Sequence, residues 1–114
     1  MGTEVELRAV SASDLSRAGI EVVKVDFGPH VRHGDGVYLD VAFPNYFGAS
    51  VICTSRSYGG QSGLFELCVM DANGDVVKRS PVIDFEETGD YVIGGLTPAE
   101  VLDLLRRIAA LEMP

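Results

Sequence analysis

Cysteine, histidine and basic residues are scarce in this chain: two, two and nine respectively, against seventeen acids. Each shortage excludes something. So few Lys and Arg leave no basic cluster of the kind that a nucleic-acid backbone requires. No apolar stretch approaches the ~20 residues that cross a bilayer. Met1–Val10 alternates charged and apolar residues without the apolar run of a signal peptide. Gly2 does not open a myristoylation signal, because Glu6 stands where Ser or Thr is needed. Internal repeats, linkers and low-complexity segments are also missing. The expectation is a soluble, cytoplasmic protein with neither nucleic acid nor membrane as a direct partner.

What remains suits one folded domain spanning residues 1–114. The chain is 46% hydrophobic and 23% charged, far from the composition of disorder. A domain of this length buries roughly two thirds of its unfolded surface, so it stands without metal or disulfide staples. The net charge of −8 is uneven: residues 1–57 hold seven acids and five bases, residues 58–114 ten acids and four bases. That balance keeps a small domain in solution, and it also permits a basic protein partner.

Periodicity predicts the elements. Glu4–Val10 alternates as a half-buried strand, Ser11–Ala18 fits one or two helical turns or an ordered loop with Gly19 as a stop, and Ile20–Phe27 reads as a second strand. After the loop Gly28–Gly36 comes Val37–Phe43, with Val37, Leu39, Val41 and Phe43 inward and Tyr38 and Asp40 outward. Ala49–Thr54 and Leu64–Met70 follow as strands, the latter apolar on both faces except at Glu66. A turn at Asp71–Asp75 leads into a short strand near Val76–Lys78, and Ser80–Phe85 and Tyr91–Ile93 are candidate edge segments. Thr97 reads as an N-cap, Pro98 as the first helical residue and Glu100 as the third, ahead of the stripe Val101, Leu104, Leu105, Ile108 and Leu111. Asp103 and Arg107 are spaced to pair one turn apart. The fold class is therefore α+β: a small antiparallel sheet of about five or six strands packed by one C-terminal amphipathic helix.

Candidate chemistry is thin. Hairpin pairing sets Cys53 opposite about Leu64 and Cys68 opposite about Ala49, on one face but four positions apart. That is roughly 13 Å at strand rise, against a Cα separation of about 5.5 Å for a disulfide. Both therefore read as buried free thiols. His30, His33 and Asp35 could bind zinc, but they lie in a Gly- and Pro-containing loop without further ligands and read as solvated. Asp71, Asn73 and Asp75 have calcium-loop spacing, yet Val76 and Val82 occupy positions where that loop needs Gly and an acid. No Ser sits in a nucleophile elbow, and no Cys or Ser has a base beside it in the pattern. No enzyme activity and no cofactor is expected. Two surface features remain for a partner. One is the Gly-rich loop presenting Arg56, Tyr58 and Gln61, the other the acidic stretch holding Asp84, Glu86, Glu87 and Asp90.

The runs Asn45-Tyr46-Phe47-Gly48-Ala49-Ser50-Val51-Ile52, Ser57-Tyr58-Gly59-Gly60 and Gly63-Leu64-Phe65-Glu66-Leu67, with Val92-Ile93-Gly94-Gly95-Leu96-Thr97 before the helix, carry a resemblance. Over roughly residues 36–112 the chain resembles a group of small proteins encoded by tailed bacteriophages and prophages. The resemblance implies a phage context and brings over no catalytic or binding residue. It points to an accessory protein that binds a host or phage protein. The alternative is a structural phage component that self-assembles, for example as a homodimer through an edge strand. A metal-dependent enzyme ranks third.

Overall fold

Alternating side chains build the sheet. In β2 (Val37–Ala42) Val37, Leu39 and Val41 are buried while Tyr38, Asp40 and Ala42 face the other way. β3 (Phe47–Cys53) buries Ala49, Val51 and Cys53, and β4 (Phe65–Asp71) buries Phe65, Leu67 and Val69. A period of two thus gives each strand one apolar face. With β1 (Lys24–Pro29) and β5 (Val92–Leu96) the strands form one antiparallel sheet in chain order, β1-β2-β3-β4-β5. The computed structural model describes residues 12–29, 36–83, 86 and 89–113, without the side chains of residues 12–14. The strand expected at Glu4–Val10, the two histidines, Asp84 and Glu87 lie outside the described residues.

Among the described residues two helices flank the sheet. The short α1 (Ala12–Arg17) ends in a Schellman motif: Ile20 N–H donates to Leu15 O at 2.8 Å and Gly19 N–H to Ser16 O at 2.9 Å, with Gly19 at φ 82°. Leu15 and Ile20 are both 1% exposed, the apolar contact that accompanies this motif. Ile20 is thereby used up, and the strand read at Ile20–Phe27 begins only at Lys24.

The longer α2 (Pro98–Ala109) starts as its sequence implies. Thr97 accepts from Glu100 N–H, and Glu100 accepts from Thr97 N–H at 3.0 Å, a complete capping box. Val101, Leu104, Leu105 and Ile108 are buried against the sheet. Arg107 donates to Pro81 O at 3.5 Å instead of pairing with Asp103, and Arg106 donates to Ala18 O at 3.1 Å. At the far end the Asn45 amide, in the β2–β3 turn, donates to Ile108 O and Leu111 O, each at 2.9 Å. Its own oxygen accepts from Phe47 N–H at 3.1 Å. One side chain thus caps the helix end, sharing Ile108 O with the N–H of Leu111, 3.1 Å away.

Register corrects the cysteine geometry. Cys68 pairs with Ser50, and Glu66 with Ile52, one position from the pairing expected. A one-residue slip moves a side chain to the other face. Cys53 therefore lies in the core while Cys68 is half-buried on the outer face, and both are free thiols. The strand read at Val76–Lys78 reduces to a bridge between Met70 and Val76 and a 2.8 Å bond from Val77 N–H to Val69 O. The described part of Ser80–Phe85 is a turn in which Ser80 Oγ accepts from Val82 and Ile83 N–H, both at 3.1 Å.

Candidate functional site

The Gly-rich loop between β3 and β4 is held from within. Thr54, 2% exposed, accepts at its hydroxyl from the backbone N–H of Arg56 and of Ser57, both at 3.1 Å. Ser57 Oγ accepts from Thr54 N–H at 2.9 Å and donates to Thr54 O at 3.0 Å. The chain then passes so close to itself that a Cβ at Gly60 would stand 1.7 Å from Thr54 O. A single turn of 3₁₀ helix (Gly60–Ser62) completes the loop, bounded by Gly59 and Gly63 at φ 81° and 76°. Those angles suit glycine because it lacks the Cβ that clashes there. Gln61 Nε2 donates across the loop to Ser55 O at 3.3 Å.

A second set of contacts fastens the loop to β5. Phe65 pairs with Leu96 and Leu67 with Ile93, so Glu66 alone faces both Gly94 and Gly95, a bulge with Gly95 at φ 70°. Gly95 N–H donates to Tyr58 O at 3.3 Å, and Tyr58 N–H donates to Glu66 Oε1 at 3.2 Å. The Tyr58 Cβ occupies the space a side chain at Gly94 would need, within 2.3 Å of its Cβ position. The two glycine pairs singled out in the sequence therefore meet across the sheet. Linear reading did not join them, because 35 residues separate Gly59 from Gly94 and only pairing register brings them together. On this frame Arg56 and Gln61 are exposed, and Tyr58 is 63% exposed.

The acidic stretch is organised differently. Glu86 forms an ion pair with Arg79, both side chains 67% exposed, an arrangement worth little in stability. Asp90 accepts from Tyr91 N–H at 2.7 Å and Val92 N–H at 3.3 Å, so its carboxylate starts β5. Lys78 Nζ stands 5.7 Å from the Tyr91 ring centre, within cation–π reach. Asp90 precedes β5, and Tyr58 lies against Gly94 at the strand's middle, four residues along, roughly 13 Å at strand rise. Arg56, Tyr58 and Gln61 come together on one loop, while Glu86 pairs with Arg79 and Asp90 stands at the start of β5.

Other groups are tied into the structure. Asp71, Asn73 and Asp75 form a hairpin turn in which Asp71 Oδ1 accepts from Asn73 N–H at 2.9 Å and Asp75 N–H at 3.0 Å. Among the described residues no three or more His, Cys, Asp or Glu are grouped to hold a metal ion. Burial, and then the Glu66 charge, push the Cys68 thiol above its ordinary value, which keeps it protonated and unreactive at neutral pH. Among the described residues no helix is long and apolar enough to cross a membrane. No protein-family model, curated protein or solved structure matches the chain.

Proposed function

We propose that the chain is a phage or prophage accessory protein that works by binding a host or phage protein, with Arg56, Tyr58 and Gln61 as its contact surface. One observation carries this reading. The 54–63 loop is fixed by hydrogen bonds to Thr54, Ser57 and Glu66, yet it leaves these three side chains facing solvent. A loop ordered in advance loses little entropy on binding, and Tyr and Arg are the residue types that dominate interface energetics. The phage context rests on the sequence resemblance.

The test is capture from host and phage-infected lysates with the intact chain as bait, beside Arg56→Ala/Tyr58→Ala/Gln61→Ala. The expected result is a partner retained by the wild type and lost by the triple variant. Recovery of no partner, where a control bait succeeds, overturns the reading.

A second reading, a self-assembling phage component, draws on β1 and β5 being the two edges of the described sheet. Light scattering decides it: a strict monomer at high micromolar concentration removes this reading.

A further inference from the structure

The sheet face opposite α2 carries a groove of about 610 Å³, separate from the 54–63 loop. Its floor is low for a local reason. Ala42 pairs with Gly48 and Asp40 with Ser50, setting small side chains along the groove. Gly48 cannot be larger, since a Cβ there would stand 2.4 Å from Val41 O. Met70 rises on one side, and Tyr46, 60% exposed, closes the hairpin end.

Charge selects what fits this groove. Asp26 and Asp40 line it and are direct partners in the β1–β2 register. Side chains so placed are about 5 Å apart at Cβ, and like charges in that arrangement repel. Tyr38 donates its hydroxyl to Asp26 Oδ2 at 3.2 Å, but among the described residues no base is ion-paired with either carboxylate. Lys24 also borders the groove but is ion-paired with neither.

We infer that this groove receives an arginine side chain from a basic segment of a protein partner, its guanidinium between Asp26 and Asp40. The inference rests on the reading that the chain works by binding a protein, and it adds the chemistry of that partner. A guanidinium is planar and presents several N–H donors, so it bonds two neighbouring carboxylates at once. Its aliphatic stem lies over the low floor at Ala42 and Gly48, which a bare metal ion would leave uncovered. The net charge of −8 steers basic partners toward the surface.

The experiment titrates the ¹⁵N-labelled full chain with acetyl-Leu-Arg-Leu-amide and with its citrulline twin, which keeps the shape and loses the charge. Saturable shifts are expected at the amides of Asp26, Asp40, Gly48 and Ser50. The citrulline peptide should bind about tenfold more weakly, and so should the arginine peptide to Asp26→Asn/Asp40→Asn. That double variant should melt at or above the wild-type temperature, because a repulsion has been removed. Equal binding of the two peptides, unchanged binding by the double variant, or a lower melting temperature overturns the inference. Calcium chloride shifting these amides at lower concentration than the peptide assigns the groove to a metal ion and also overturns it. So does the same pattern appearing on raising protein concentration alone, which assigns the groove to a second copy. A partner captured equally by wild type and double variant overturns the groove and leaves the proposed function standing. Charge-dependent peptide binding with no partner captured does the reverse.

Discussion

Tyr46 and Gly74 occupy equivalent places in two turns of one design. In the first, Phe43 N–H donates to Phe47 O at 2.8 Å and Tyr46 N–H to Phe43 O at 3.3 Å; in the second, Asp71 N–H donates to Asp75 O at 2.8 Å and Gly74 N–H to Asp71 O at 3.1 Å. Both third loop residues are left-handed, at φ 69° and 85°, as three-residue hairpin loops require. Glycine adopts that conformation freely, whereas a residue with a Cβ gives up about 1–2 kcal/mol. Tyr46→Gly is expected to raise stability by about 1 kcal/mol in urea unfolding; an unchanged midpoint would show that contacts of the Tyr46 ring offset the strain. Its neighbour Asn45 tests the opposite sign. Asn45→Asp puts an acceptor-only group against the carbonyls of Ile108 and Leu111, at the negative end of the helix dipole. A loss of about 1–3 kcal/mol is expected at pH 7, larger than for Asn45→Ala, and the same unfolding measurement ranks the two. Neither role is legible locally: Asn45 reads as a turn residue, and its helix partners lie 63 and 66 positions away.

At the scale of elements, α2 and β5 illustrate two kinds of constraint. The start of α2 is local chemistry. Hydrogen bonds from the Thr97 backbone, and then from its side chain, hold Glu100 below its ordinary value of 4.5. A carboxylate whose folded value is depressed stabilises the fold above its unfolded value, and that contribution disappears as pH falls through the folded one. Melting temperature should therefore fall on acidification below about pH 4.5, and Glu100→Gln should flatten that part of the curve. An identical curve in the variant would show that the Glu100 charge does not contribute. The start of α2 was readable from Thr97, Pro98 and Glu100, because capping acts within four residues. β5 is constrained from a distance: its bulge at Gly94 and Gly95 exists against Glu66 and under Tyr58. Gly94→Ala should displace Tyr58, shifting the amides of Tyr58 and Gly95 while the remaining sheet amides hold their positions. Shifts confined to the substituted residue and its chain neighbours would mean that the loop does not rest on β5.

For the whole molecule, the question is whether helix, hairpin and long connection behave as one body. Leu105 is fully buried beneath α2. Asn45 ties the helix to the β2–β3 turn, Arg106 to the chain after α1, and Arg107 to residues 72–91. Leu105→Ala is expected to cost about 2–5 kcal/mol, with far-UV circular dichroism and tyrosine fluorescence reporting one coincident transition. Separated transitions would show the helix leaving the sheet before the sheet unfolds. The same architecture divides the surfaces: α2 covers one face, and the other keeps the groove bordered by Asp26 and Asp40.

The sequence alone determined the α+β class, the outward placement of Tyr38 and Asp40 on β2, and the start and buried stripe of α2. These follow from alternation, helical spacing and capping, all of which act over a few residues. Only the tertiary structure decided which face each cysteine takes, that Tyr58 lies on Gly94, and that Asp26 stands opposite Asp40. Each depends on strand register, which is set by turn geometry and by the packing of the whole sheet. A slip of one position reverses every side chain, so a local window can recognise a strand and still leave its neighbours undetermined.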